Sequence, residues 1–331
     1  MKVFVTGASG FLGKYVVDAA LAKGHHVLAM VRPTSKVERL PWHDNSNVTL
    51  VRQDLRQARE LADVLEGVDA VIHLAAVKSG DFYDQFAGTV IATENLLDAM
   101  VASKVQRLIA ISTFSVYDYM AKRSGTLLDE SFPIEDSPLD RDEYAQTKLI
   151  QEDLYRAFEK EQNGEVTILR PGMIYGPNNL WNPCLGAEFG SSFLRIGAGG
   201  KMPLTYVENC AEAIVAAVDQ PASIGQTINI VDDNLPKKSV FTRELLKRDS
   251  NPPKVVAVNW GIMKLIAGTA WFVNQQFLGG KARLPGILVP AKLNARFKPF
   301  RYSNDLAKKY LQWTPRYTLE QALDRSIAAE G

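Results

Sequence analysis

The chain has 331 residues, with 38 basic and 37 acidic side chains and a net charge of +1, which excludes a general nucleic-acid binder. Hydrophobic residues at 46% and charged residues at 23% exclude a disordered chain. No apolar run reaches the roughly 18 residues of a membrane span.

Val3-Phe4-Val5 predicts a first strand, and Leu12, Val16, Val17, Ala20 and Leu21 a helix that Gly24 stops. His26 to Val31 predicts a second strand. Val48 to Val51 is a third, followed by helix positions Leu61, Val64 and Leu65. Val68 to Leu74 is a fourth strand. Leu96, Leu97 and Met100 line a helix before a fifth strand, Leu108 to Ile111. Strand–helix repeats at this spacing imply parallel strands with right-handed crossovers, a doubly wound α/β sheet. The acid-rich, Gly- and Pro-containing stretch 124–143 predicts a solvated loop. Tyr144 to Phe158 follows as a helix and Val166 to Leu169 as a sixth strand. After Pro171 the alternation is lost. Cys184 and Cys210 are too few for a disulfide framework, and His25, His26, His43 and His73 form no ligand pattern, so no metal is expected. Thr6-Gly7 interrupts the N-terminal apolar run before a secretory leader can form. A reducing, cytoplasmic setting is expected.

Thr6-Gly7-Ala8-Ser9-Gly10-Phe11-Leu12-Gly13 follows a strand and opens a helix. Gly7 would permit a tight turn, Gly10 the approach of a pyrophosphate, and Gly13 close packing of helix on sheet. The helix N-terminus then offers free N–H groups to phosphates. A glycine-rich turn without a ligand is the plainer alternative. The Gly-x-x-Gly-x-x-Gly spacing with Phe11-Leu12 resembles the extended branch of the short-chain dehydrogenase/reductase superfamily, the NAD-dependent epimerase/dehydratase family. That resemblance implies a Rossmann fold and cofactor contacts from Gly7, Ser9, Gly10, Phe11, Leu12 and Gly13. The expected division is a dinucleotide-binding domain over residues 1–171 with about 202–231. A smaller, partly interleaved substrate lobe would take 172–201 and 232–331.

The family's ribose-binding Asp falls at Val31, where no carboxylate can clasp a diol. Arg32 follows, and a guanidinium suits a 2′-phosphate. NADP is therefore expected over NAD, unless Arg32 is only a solvated strand-end residue. The resemblance places Asp54 and Leu55 beside the adenine. It places Leu74, Ala75 and Ala76 along the cofactor after the fourth strand. Arg170-Pro171-Gly172-Met173-Ile174-Tyr175-Gly176-Pro177 resembles the family segment that passes the nicotinamide, with contacts from Pro171 and Gly172.

Tyr144 and Lys148 stand four apart, on one face of a helix. An ammonium near a phenol favours the phenolate and makes tyrosine a general acid or base near neutral pH. Such a pair arises readily by chance, so its context decides. Ala110 to Tyr117 closes the fifth strand, where the family places a catalytic Ser or Thr. Thr113 takes that role, with Ser112 beside it. The resemblance implies that Thr113 and Tyr144 hold the substrate oxygen. Tyr144 would move the proton while hydride passes to or from the nicotinamide. Lys148 would hold the nicotinamide ribose and tune Tyr144.

Nucleotide-sugar members usually carry Asn where this chain has Met173, and a thioether cannot replace an amide. The family's Asn on the helix after the fourth strand falls at Thr89, with Asn95 nearby. Trp260 to Phe277 is apolar, with Lys264 its only charge. It reads as a buried helix or subunit contact, or as a pocket wall or membrane-resting surface. Lys281 to Arg316 holds nine basic residues against Asp305, centred on Lys292, Arg296, Lys298 and Arg301. It reads as a solvated face, or as a site for an anionic substrate group or anionic lipid. The stretch from Leu284-Pro285-Gly286 to Phe300-Arg301-Tyr302-Ser303 resembles members acting on hydroxysteroids or other bulky ketones.

The expected activity is an NADP(H)-preferring oxidoreductase acting on a secondary alcohol or ketone of a bulky, largely apolar small molecule. A nucleotide-sugar epimerase, dehydratase or reductase is the first rival. A non-catalytic NAD(P)-binding regulatory protein is the second, and intact Thr113, Tyr144 and Lys148 argue against it. Family members dimerise through the helices after strands four and five. Leu96, Leu97, Leu149 and Leu154 are the candidate homodimer contacts.

Overall fold

The computed structural model describes residues 1–57, 60–181, 184–190, 192–279, 282 and 284–329. Seven parallel strands form the main sheet: β1 (Lys2–Thr6), β2 (His26–Val31), β3 (Val48–Arg52), β4 (Ala70–His73), β5 (Arg107–Ile111), β6 (Glu165–Pro171) and β7 (Thr227–Ile230). Their order is β7-β6-β5-β4-β1-β2-β3, a doubly wound Rossmann sheet. The register pairs Val3 with Val27 on one side and with Ala70 on the other.

The strands are apolar throughout because both faces are covered. Val3, Val5, Val27, Ala29, Ile109 and Ile111 point to one core. Helices α1 (Phe11–Ala22) and α4 (Val207–Asp219) close it. Phe4, Leu28, Met30, Leu108 and Ala110 point to the other, closed by α2 (Ala92–Ala102) and α3 (Glu143–Gln162). This alternation follows from the two-residue period of a strand. Helix α3 starts at Asp142, whose Oδ1 accepts the Ala145 amide at 3.0 Å, and ends at left-handed Asn163.

The expected helix after β3 spans Leu61–Val64, with Leu65 as its C-cap. Three expectations are corrected. Leu96 and Leu97 are core residues, so neither is free for a dimer contact; Leu149 and Leu154 stay half-buried. The 124–143 segment is not simply solvated. Leu127–Leu128 pairs with Arg301–Tyr302, Glu130 Oε1 accepts the Asn229 amide at 2.7 Å, and Arg141 makes a buried 2.9 Å ion pair with Glu135. Finally, α5 (Trp260–Phe277) is a helix, but its outward face is exposed rather than buried.

A separate aromatic core joins Phe114 and Tyr117, from the segment after β5, to Tyr175, Tyr206 and Phe241 beyond β6. A three-stranded sheet there joins Gly186–Phe189, Ser192–Ile196 and Lys254–Val258. Met173–Tyr175 pairs in parallel with Leu204–Tyr206. Helix α6 (Pro290–Phe297) packs on α5 through Leu293 and Phe297, over Met263, Ala267 and Ile196.

Candidate active site

The candidate residues gather at the carboxyl ends of β1, β4, β5 and β6, where the strand order reverses between β1 and β4. Gly7 turns the chain after β1 with a φ of +68°. A Cβ on Gly13 would sit 2.1 Å from the Gly7 oxygen, so only glycine lets α1 start there. A Cβ on Gly10 would meet only that same oxygen, at 3.1 Å, and otherwise face open space. Gly10 is also the N-cap of α1 and offers no side-chain cap. The first amides of α1 therefore keep their capacity for an outside acceptor. A cradle open at Gly10, with uncapped amides behind it, fits a dinucleotide pyrophosphate. Ser9, Phe11 and Leu12 are half-buried around it.

Thr6 ties this loop to the turn after β4. Its Oγ1 accepts the amides of Leu74 and Ala75, both at 3.1 Å. Its own hydrogen therefore goes to His73 Nδ1, at 2.8 Å. That assigns the ring hydrogen to Nε2, which donates to Thr93 Oγ1 at 3.0 Å. Thr93 donates onward to the Thr89 oxygen at 2.6 Å and accepts Gln151 Nε2 at 2.7 Å. Burial, with the Lys148 charge added, pushes His73 down to about 3, so the ring is neutral. Thr89 Oγ1 accepts the Val77 amide at 3.0 Å, fixing the far end of the Leu74–Ala76 turn. Asn95, the nearby alternative, donates to the Leu55 oxygen at 2.7 Å.

Lys148 ends this buried chain. Its Nζ donates to the Ile111 oxygen at 2.6 Å and to Gln151 Oε1. One of its three N–H groups remains for a ligand. Burial pushes Lys148 down to about 7; the Glu152 carboxylate opposes this and the Lys78 charge adds to it.

Tyr144 stands on the first turn of α3, near enough to the Thr113 hydroxyl for it to lower the phenol's pKa. Thr113 closes the end of β5 and caps the short turn Phe114–Val116, accepting the Ser115 amide at 3.2 Å. Ser112 is excluded from the same work, because its hydroxyl is buried and donates to Glu152. The expected electrostatics of Tyr144 are corrected. Burial pushes the phenol up to about 12, Thr113 opposes this, and the Asp142 charge adds to it. The Lys148 ammonium is engaged by Ile111 and Gln151 instead.

Lys78 is a residue that sequence reasoning missed. Its Nζ lies 6.0 Å from the centre of the Tyr144 ring. Lys78 is exposed, yet its partial enclosure lowers its pKa. Its position just past the small Ala75-Ala76 pair was the available signal.

At the adenine end, Arg32 is exposed beyond the buried Val31. Arg52 Nη1 donates to the oxygens of Pro33 (3.0 Å) and Ser35 (3.1 Å), pinning the loop that carries Arg32. Asp54 is held by Arg56, with Nη2 at 2.6 Å. Its pKa is lowered first by that hydrogen bond and also by the Arg32 charge. The Leu55 side chain lies in the core, and its oxygen already accepts from Asn95. Pro171 is buried at the end of β6, paired with Ile230. Gly172 has a packing reason of its own, since a Cβ there would sit 2.2 Å from the Pro203 oxygen. Among the described residues no cluster could hold a metal ion.

The model of the NAD dependent epimerase/dehydratase family matches residues 3–231, and the chain belongs to that family of enzymes. It is 27% identical over 336 residues to the human sterol-4-alpha-carboxylate 3-dehydrogenase, decarboxylating, covering 98% of this chain and 86% of that one. It is 29% identical over 250 residues to the uncharacterized UDP-glucose epimerase YtcB of Bacillus subtilis, covering 70% of this chain and 76% of that one. Among solved structures, UDP-glucuronic acid 4-epimerase from Bacillus cereus in complex with NAD superposes with a TM-score of 0.73 at 22% identity, over 100% of both chains. That likeness shows the fold.

Proposed function

We propose that this protein is an NADP(H)-preferring oxidoreductase that interconverts a secondary alcohol and a ketone on a bulky, largely apolar substrate. The observation that carries this reading is the placement of Tyr144 beside the Thr113 hydroxyl at the strand ends, near enough for that hydroxyl to oppose the rise in its pKa, with Lys148 held one turn along α3. Gly7, Gly10, Gly13 and the first amides of α1 would hold the pyrophosphate. Arg32 would pair with the 2′-phosphate. Bound NADP(H) supplies the hydride donor or acceptor. Thr113 and Tyr144 orient the substrate oxygen by donating to it. A phenol pushed up to about 12 is protonated at neutral pH, so Tyr144 is ready to give its proton to a carbonyl oxygen as the alcohol forms. In oxidation it takes that proton back. Met173, half-buried past the nicotinamide segment, presents a thioether where an amide would suit a sugar. The sterol substrate in the human relative's name agrees with an apolar ligand.

The epimerase named among the relatives favours a second reading, in which the cofactor is retained and no net redox occurs. Titration with NADPH and NADH, followed by NADPH consumption with a panel of bulky alicyclic ketones, separates the two. Tighter NADPH binding and net consumption are expected. Tightly retained NAD with no net consumption would overturn the proposal.

A further inference from the structure

We propose that the outward face of α5 is a docking surface for an anionic lipid bilayer. The helix buries one edge, Met263, Ala267 and Asn274. The exposed side carries Ile262, Leu265, Phe272 and Phe277 at 56, 71, 58 and 75% exposure, with Ile266 and Val273 beside them. Around the helix axis Phe272, Leu265, Ile262, Val273, Ile266 and Phe277 fall within an arc of about 140°, with Thr269 and Gln276 between them, so the exposed apolar side chains cluster on one side and are not scattered. No described helix is long and apolar enough to cross a membrane. A helix of this kind lies in the interface, apolar side down.

Charge decides between possible occupants. From Ser250 to Asn304 the chain has no Asp or Glu and eight Lys or Arg, of which Lys281 and Arg283 fall outside the described residues. Lys264 sits on α5 itself, and Lys292 and Arg296 on α6, which packs against it. Lys298 follows α6 and lies close enough to Lys264 to feel its charge. A second copy docked by the same face would bring two cationic rims together. A surface of anionic headgroups over a hydrocarbon layer complements both the rim and the patch. Arg296, on the neighbouring α6, reaches Asp142 at 4.0 Å, and Asp142 caps the helix that carries Tyr144.

The test is co-sedimentation of the full chain with vesicles of phosphatidylcholine and phosphatidylglycerol in equal parts, and with phosphatidylcholine alone. Binding to the mixed vesicles should be at least about tenfold the stronger. The double variant Leu265→Gln/Phe272→Gln should bind them at least about tenfold more weakly. Lys264→Gln should lose about fivefold. Unchanged NADPH binding would show that these surface variants are folded. Phe272→Trp gives an independent signal, a blue shift of its emission on mixed vesicles. No binding by the native chain, equal binding to both vesicle types, or an unaffected double variant would overturn the proposal. So would a double variant that turns a dimer into a monomer in light scattering while the native chain ignores vesicles.

Discussion

Glu152 grips the Arg170 guanidinium through hydrogen bonds of 2.8 and 2.6 Å, between α3 and β6. Both side chains are buried. Arg170 also donates to the Tyr117 hydroxyl at 3.2 Å, and Ser112 donates to Glu152. Glu152 stands one turn beyond Lys148, and Arg170 directly precedes Pro171. The pair therefore fixes the helix that carries Tyr144 and Lys148 against the strand that ends at Pro171. Glu152→Ala would leave a buried guanidinium without its counter-charge, and stability should fall by about 3–5 kcal/mol. A urea titration checks this through a lower midpoint with an unchanged slope. Burial raises the Glu152 pKa, but the Arg170 hydrogen bonds and charge, with Ser112 and Arg156, outweigh it and hold it low. Its stabilising contribution is thus present above the ordinary value of 4.5 and is lost as pH falls through the lowered one.

The glycines of the phosphate loop should fail in different ways. Gly13→Ala forces a methyl to within 2.1 Å of the Gly7 oxygen, and should destabilise by about 1–3 kcal/mol or more. Gly10→Ala meets only one atom, at 3.1 Å, so the melting temperature should hold while dinucleotide affinity drops. Calorimetry with and without NADPH distinguishes them. Equal loss of stability in both variants would contradict the assignment of Gly10 to the ligand.

On the proposed reading, Arg32 carries the cofactor preference. Removing one charge-assisted hydrogen-bonding group costs about 1.5–3 kcal/mol, so Arg32→Ala should weaken NADPH binding about tenfold or more. NADH binding should barely change. Arg52→Ala should show a weaker form of the same effect, because Arg52 only steadies the Pro33–Ser35 loop. Fluorescence titration of both cofactors checks this.

Lys148 should leave a signature in the pH dependence of stability. Its folded pKa, about 7, lies below the ordinary value of 10.5. Between these values the unfolded chain binds a proton that the folded chain does not, so this group makes stability rise with pH through that window. Lys148→Met should lose that rise. The difference between the native and variant stability curves isolates it from other groups, including the similarly lowered Lys238.

The sheet was legible because strands covered on both faces are apolar runs, and because Gly7, Gly10 and Gly13 mark the first turn. Thr113, Tyr144 and Lys148 were legible from their places at strand ends and on one helix face. The support beneath Lys148 was not. It joins Gln151 to Thr93 across 58 positions and His73 to Thr6 across 67, and nothing local announces such pairs. Composition misled at 124–143, where the polar Glu135 and Arg141 are buried against each other. The family resemblance misled at Leu96 and Leu97 as dimer contacts, since their apolar stripe serves the core. Composition misled again at α5, where an apolar helix presents its wide face outward.

Hydride transfer by Tyr144→Phe tests the central claim most directly. With NADPH and a ketone that the native protein reduces, the variant should lose about 10²- to 10⁴-fold in rate while binding NADPH as before. A variant that reduces the ketone at the native rate would show that the proton comes from elsewhere, and the active-site assignment would fall.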